Sequence, residues 1–199
     1  AAAQEHPFGG GGVSRAQVWF GHTETQSPMI SNDDTSGATT DWFISGGGVV
    51  AKHAVIQAEL TFGSNLETTI PPSTYVPDYP YQPLPSTDIV RYTYRFRQVA
   101  VLGGYTTDTA RRVHVSALAG VAFVQTRALY YALYMPYTPL PYSIPTEETR
   151  FGYFVAPIFG MDVAIRVAPH TFLVPQVRAR KIPGGGPMSV SAGIGGRVQ

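Results

Sequence analysis

Apolar and polar residues alternate with a period of two along most of the 199-residue chain, and helical periodicity is nearly absent. A period of two is typical of β-strands with two unlike faces. Most of the segments are about ten residues or more, longer than the five or six residues of a typical globular strand. We predict strands at 13–22, 41–50, 54–62, 88–102, 111–125, 150–166, 171–180 and 188–198.

The connections between these segments alternate in length. Ten residues tilted by about 40° span roughly 25 Å, the height of the lipid-facing band of a membrane barrel. Long connections on one rim and short turns on the other are typical of outer-membrane barrels, in which both termini lie at the periplasmic, short-turn rim. The long or moderate connections are 23–40, 63–87, 126–149 and 181–187, and the short ones are 51–53, 103–110 and 167–170. The sequence therefore predicts an all-β, eight-stranded antiparallel up-and-down transmembrane β-barrel.

The stretch RYTYRFRQVAV, residues 91–101, alternates arginine with aromatic residues. In a membrane barrel the aromatic face is expected towards lipid and the charged face towards the lumen, where small residues and long arginines suit a narrow interior. Tyr92, Tyr94 and Phe96 are therefore predicted to face lipid, although Gln98 then falls among the lipid-facing positions. The predicted lumen charges are Arg15, Glu59, Arg91, Arg95, Arg97, Asp162, Arg166, Arg178, Arg180 and Arg197.

Glu59 and Asp162 are the only acids on these predicted inward faces. Arginine keeps its proton in proteins, and an unpaired charge in a dry interior is very costly. Each of the two carboxylates is therefore expected to contact at least one arginine, with water or anions around the others.

Composition narrows the function classes. A net charge of +1 argues against a nucleic-acid binder that neutralises phosphates. There is no cysteine, and the five histidines have no metal-ligand spacing, so no metal is expected. The glycine runs at 9–12, 46–48 and 184–186 are not followed by Lys-Ser/Thr, so no nucleotide loop or other cofactor site is expected.

The chain begins Ala-Ala-Ala-Gln-Glu, and a small-residue A-x-A pattern before Gln4 resembles the end of a removed secretory signal. We therefore expect an exported protein. Residues 1–12 are predicted to be a flexible Ala/Gly-rich leader, and 13–199 to be the barrel domain.

Two proline- and tyrosine-rich tracts, at 75–85 and 130–145, fall in long connections. Proline lowers the entropy of a loop, and tyrosines on an ordered backbone are good contact residues. A protein partner or self-association through these loops is one hypothesis, and an aromatic girdle or self-packing is the other. The candidate loop contacts are Tyr75, Tyr79, Tyr81, Tyr130, Tyr131, Tyr134, Tyr137 and Tyr142.

The eight alternating segments, the long-short rhythm of connections and the glycine-rich last strand resemble the small bacterial outer-membrane β-barrels of the OmpA/OmpX/OmpW type. The resemblance covers 13–199 and implies a bacterial outer-membrane location in contact with outer-membrane lipid. One departure is the end of the chain, Arg197-Val198-Gln199, where such barrels usually carry a terminal aromatic residue.

The function that these patterns favour is a non-enzymatic membrane anchor or scaffold that displays ordered loops. A narrow anion-favouring pore and a soluble lipocalin-like barrel are alternatives. A lipid A-modifying enzyme is a further one, because His114 and Ser116 resemble the His-x-Ser pair of deacylase barrels. The expected partners are outer-membrane lipid and not nucleic acid.

Overall fold

The computed structural model describes residues 6–20, 35–70, 90–134, 144–181 and 188–199, which form nine β-segments and no helix. None of the described residues belongs to a helix long and apolar enough to cross a membrane. The segments are β1 (His6–Phe20), β2 (Thr35–Val49), β3 (Ala54–Gly63), β4 (Leu66–Ile70), β5 (Val90–Thr106), β6 (Val113–Tyr134), β7 (Ile144–Ala168), β8 (Thr171–Lys181) and β9 (Met188–Val198).

The nine segments make an eight-stranded antiparallel barrel. Segments that follow one another in the chain pair with each other, except β3 and β4, which lie one after the other along β5, and β9 pairs with β1 to close the barrel. β3 and β4 are thus one barrel strand, interrupted at Ser64 and Asn65. Ser64 accepts a hydrogen bond from the Thr39 hydroxyl at its carbonyl, 2.9 Å away, which ties the interruption to β2. The predicted fold class is confirmed.

The strands are strongly staggered. Following the register once around the barrel from Phe8 returns to Val18, ten residues further along β1. A stagger of this kind tilts the strands, and an eight-stranded barrel has an interior just wide enough to be filled by side chains. We call the end that carries the turns at 50–53, 107–112 and 169–170 the short-turn rim, and the opposite end the long-loop rim.

The outward face carries a belt of apolar side chains. Trp42 is 62% exposed, Phe159 59% and Val101 52%. Soluble monomers rarely expose a contiguous apolar surface of this size. The belt is the lipid-facing band of a transmembrane barrel, and the soluble-barrel alternative is wrong.

The barrel begins earlier than predicted. Residues 6–12 belong to β1 and pair with β2, so this part of the predicted flexible leader is a strand. Gly10 and Gly12 lie against the backbone of β9. A Cβ atom would be 2.1 Å from the Gly196 carbonyl oxygen at Gly10 and 2.2 Å from that of Ile194 at Gly12. The glycine run thus permits close approach of two strands.

The hairpin of β6 and β7 is longer than predicted. β6 has 22 residues and β7 has 25, whereas β8 has 11. Tyr130, Tyr131 and Tyr134 therefore lie in a strand, and their assignment to a loop is wrong. The other candidate loop contacts lie outside the described residues: Tyr75, Tyr79, Tyr81, Tyr137 and Tyr142.

Candidate functional site

Arg178 occupies the middle of the barrel interior and joins three strands. Its side chain, on β8, donates to Glu59 of β3 from Nη2 at 2.9 Å and to Asp162 of β7 from Nη1 at 2.6 Å. Nη2 also donates to the Gln176 amide oxygen at 3.1 Å. All of these side chains are buried. The expectation that Glu59 and Asp162 each contact an arginine is confirmed.

Gly160 makes room for this arginine. It lies opposite Arg178 in the register of β7 and β8. A Cβ atom at Gly160 would be 2.7 Å from Arg178 Nη1 and 2.8 Å from its Cδ. The arginine side chain therefore lies across the β7 backbone at a point where only glycine leaves space for it.

Arg197 extends the cluster towards the short-turn rim. Its Nη2 donates to the second oxygen of Asp162 at 2.8 Å and to the Gln57 amide oxygen at 3.4 Å. The guanidinium also lies 4.2 Å from the centroid of the Phe8 ring. Asp162 thus accepts from two arginines, one with each carboxylate oxygen. We call Glu59, Asp162, Arg178 and Arg197 the central charge cluster.

Arg180 lies nearer the long-loop rim. It donates to the Gln98 amide oxygen and lies 4.0 Å from the centroid of the Phe96 ring. Asp41 lines the same small cavity as Arg180 and is 2% exposed. This cavity has a volume of about 20 Å³, room for about one water molecule.

Three of the interior arginines lie over phenylalanine rings. Besides the Arg197–Phe8 and Arg180–Phe96 pairs, Arg166 lies 5.4 Å from the ring centroid of Phe172, its register partner on β8. An arginine over an aromatic face gains roughly 0.5–2 kcal/mol, more when both groups are desolvated. The phenylalanine rings thus stabilise the interior arginines in addition to the carboxylates.

The predicted facing of β5 is wrong. Tyr94, Phe96 and Gln98 are buried in the interior, and Arg95 and Arg97 are exposed on the outside. Gln98, which did not fit the predicted phase, is in phase with its inward neighbours. Arg95 and Arg97 lie on the long-loop side of the apolar belt, where the outer face is no longer surrounded by hydrocarbon, so outward arginines carry no penalty there.

Arg15 is also exposed on the outer face, because its neighbours Ser14 and Ala16 are the buried residues of β1. Its assignment to the lumen is therefore wrong as well. The side chain of Arg91 lies outside the described part of the chain. The structure brings together in the interior the remaining predicted lumen charges: Glu59, Asp162, Arg166, Arg178, Arg180 and Arg197.

Asp41 is an interior carboxylate that the sequence analysis missed. It was predicted as the first residue of its strand, with no inward or outward assignment. Asp41 lies two residues from Thr39 and from Phe43 and four from Ser45, and all of these residues are buried. This two-residue spacing along the strand is the signal that could have identified it.

His114 and Ser116 both face the interior near the short-turn rim and are buried. The Ser116 hydroxyl donates to the Thr106 hydroxyl at 3.0 Å, and His114 packs edge-on against Phe172 with ring centroids 5.5 Å apart. No described hydrogen bond joins His114 to Ser116, and neither faces the lipid, so the arrangement does not support the deacylase alternative. Among the residues that are described, no group of three or more potential ligands could hold a metal.

Comparison with known proteins gives the fold but not a family. No family model matches the sequence, and no curated protein matches it. Neisserial surface protein A matches in structure with a TM-score of 0.58 and 15% identity, over 98% of each chain. Ail, the attachment invasion locus protein of Yersinia pestis, matches with a TM-score of 0.53 and 8% identity, again over 98% of each chain. The chain has the fold of the small outer-membrane β-barrels.

Proposed function

We propose that this protein is a non-enzymatic outer-membrane barrel that anchors surface loops, and that its interior does not conduct. In this proposal the long-loop rim faces the cell exterior and both termini face the periplasm. The observation that carries the proposal is the central charge cluster, in which Arg178 bridges Glu59 and Asp162 across the barrel.

The cluster closes the lumen at its middle. Its four residues are each at most 6% exposed, and Leu102 and Ile158 fill neighbouring interior positions. Opening a path would require breaking the bonds of Arg178 to two carboxylates. Breaking a buried ion pair is strongly unfavourable, by about 3–5 kcal/mol. A barrel closed in this way is suited to anchoring rather than to transport.

The charge balance of the described interior also argues against the anion-pore alternative. That alternative depended on a surplus of lumen arginines over two acids. Arg15, Arg95 and Arg97 are on the outside instead, and Asp41 adds a third buried carboxylate. Among the described interior residues, the four arginines Arg166, Arg178, Arg180 and Arg197 now stand against the three acids Glu59, Asp162 and Asp41, so most of the cationic surplus on which anion selectivity depended is gone.

The long β6–β7 hairpin supports a display role. β6 and β7 continue towards the long-loop rim well past Phe123 and Val155, which belong to the apolar belt. Strand pairing holds this projection up to the Tyr134–Ile144 pair. A loop mounted on a paired hairpin is presented at a fixed distance from the membrane.

Conductance in planar lipid bilayers tests the closed interior. We expect the folded wild-type protein to give no steady channel, and the Arg178→Ala variant, provided that it folds, to conduct more than the wild type. Steady conductance of the wild type with an anion-selective reversal potential would contradict the proposal.

Cysteine labelling of intact cells tests the orientation. The chain has no cysteine, so a single substitution gives an unambiguous signal. Ser73→Cys, at a position outside the described residues, is expected to react with a membrane-impermeant maleimide. Ala110→Cys, in a short turn, is expected to react only after the outer membrane is permeabilised. The reverse pattern would invert the topology.

A further inference from the structure

Three arginines form a basic surface on the outer face of the barrel near the long-loop rim. Arg95 of β5 is the register partner of Arg127 on β6, and Arg97 lies one outward position below Arg95. All three side chains are exposed. We call Arg95, Arg97 and Arg127 the outer arginine patch.

A surface pocket lies between these arginines. It has a volume of about 140 Å³. Among the described residues that line it none is acidic, and Gln125, Phe151 and Phe96 complete its border with the three arginines. The Arg127 guanidinium lies 5.9 Å from the centroid of the Phe151 ring. The pocket therefore combines cationic donors with an aromatic wall.

The outer arginine patch lies where the apolar belt ends. On β5 the outward residues that follow Arg97 towards the short-turn rim are Val99 and Val101, and both are exposed apolar side chains. On its other side, Arg97 is in register with Phe62 of β3, and Phe62 is in turn in register with Trp42 of β2. Aromatic residues of this kind form the girdle at a membrane interface, so the patch lies at headgroup depth.

The arrangement is unfavourable without an anion. Arg95 and Arg127 are direct cross-strand partners, and like charges directly opposite each other destabilise a sheet. Gln125, the register partner of Arg97, donates a hydrogen bond to the Tyr153 hydroxyl at 3.2 Å. This bond holds Gln125 and Tyr153 next to the patch. An anionic group between the arginines would remove the repulsion and accept paired N–H bonds from planar guanidiniums.

We propose that the outer arginine patch binds the phosphate of a lipid headgroup in the leaflet at the long-loop rim. A phosphorylated lipid fits better than a soluble anion because exposed apolar side chains adjoin the patch: Phe151 lines the pocket, Phe62 is the register partner of Arg97, and Val99 is the next outward residue on β5. These side chains can contact acyl chains. The proposal goes beyond anchoring, and it depends on the membrane orientation proposed above.

The first test uses the wild-type protein refolded in zwitterionic detergent micelles. Three probes are titrated separately: diphosphorylated lipid A, the same lipid after enzymatic removal of its phosphates, and inorganic phosphate. Binding is followed by the shift in the midpoint of thermal unfolding. We expect lipid A to raise the midpoint at concentrations at which the other two probes have no effect. Equal effects of intact and dephosphorylated lipid would overturn the proposal, as would binding of inorganic phosphate as tight as that of the lipid.

The second test uses variants of exposed residues. In Arg95→Gln/Arg97→Gln/Arg127→Gln the affinity for lipid A is expected to fall by about tenfold or more, because several charge-assisted hydrogen bonds are lost together. The matched control is Arg111→Gln/Arg112→Gln, which removes two exposed arginines at the short-turn rim and should leave the affinity unchanged. A third variant, in which the three patch arginines become lysines, keeps the charge but loses the paired donors and should bind with intermediate affinity.

The outcomes separate this proposal from the proposed function. If the glutamine variant and its control lose affinity equally, the attraction is general electrostatics and the site is refuted. If the glutamine variant does not fold, two other comparisons test the site. The first is the affinity of the wild type against that of the lysine variant, and the second is the effect of intact against dephosphorylated lipid A. Failure of the wild type to migrate as a folded, heat-modifiable barrel would refute the membrane location itself, whereas normal folding without lipid A binding would refute only the phosphate site.

Discussion

Arg178 and Glu59 are 119 residues apart in the chain, and their Nη2 and Oε2 atoms are 2.9 Å apart in the barrel interior. The same guanidinium donates to Asp162 at 2.6 Å. Strands β3, β7 and β8 are thus joined across the lumen by one side chain, in addition to the hydrogen bonds between neighbouring strands. The pairing is possible because all three residues have inward parity in their strands.

Replacing Glu59 with leucine should destabilise the barrel strongly. The substitution leaves Arg178 with one carboxylate fewer in a buried site, and a broken buried pair costs about 3–5 kcal/mol. The control is Arg111→Gln, which removes an exposed ion pair with Asp108, 3.9 Å long, and should cost less than about 1 kcal/mol. Urea unfolding followed by gel mobility of the folded form measures both. Comparable losses in the two variants would mean that the central charge cluster contributes little to stability.

Adding one methyl group at Gly160 should also destabilise the protein. The Cβ of Gly160→Ala would be 2.7 Å from Arg178 Nη1, so the arginine must leave the geometry in which it reaches both carboxylates. Overpacking of this kind costs roughly 1–3 kcal/mol. Gly103→Ala is the matched control, because its Cβ would point outward with its nearest contact, the Val55 carbonyl oxygen, at 4.0 Å. Unfolding midpoints that fall equally in both variants would show that the effect is a backbone effect and not a displacement of Arg178.

An arginine placed in the apolar belt should impair folding into lipid. Val101 is 52% exposed on the outer face of β5, and an arginine near the bilayer midplane costs about 2–4 kcal/mol. Thr107→Arg, just beyond the end of the same strand and exposed, should fold as the wild type does. The folded fraction in lipid vesicles gives the comparison. Equal folding yields would show that this face does not contact hydrocarbon.

The sequence was sufficient to predict the barrel because the same two-residue period recurs in every strand and its connections alternate in length. It also identified Glu59, Asp162, Arg178 and Arg197 correctly, since these residues lie within the hydrocarbon-spanning part of the barrel. There the outer face must be apolar, so a charged residue is a reliable sign of a position that faces inward.

The same rule failed at Arg95 and Arg97 because their part of β5 lies beyond the apolar belt. The outer face is polar there, and the inner face is closed by large side chains such as Phe96 and Tyr94. Charge then no longer distinguishes the two faces. Gln98 and Leu102 face inward further into the membrane. Counting back from them by two residues at a time correctly places Phe96 and Tyr94 in the interior.

The corrected facing of β5 leads to a direct chemical prediction. In single-cysteine variants of the refolded protein, Arg95→Cys and Arg97→Cys should react rapidly with a charged, water-soluble thiol reagent, because both positions are exposed on the outer face. Phe96→Cys should react only slowly until the barrel is unfolded, because Phe96 is 2% exposed and lies beneath the Arg180 guanidinium. The three positions are consecutive, so they share the same depth and strand, and only the direction of the side chain differs. Rapid labelling of Phe96→Cys together with protection of Arg95→Cys and Arg97→Cys would reverse the assignment and return the arginines to the lumen.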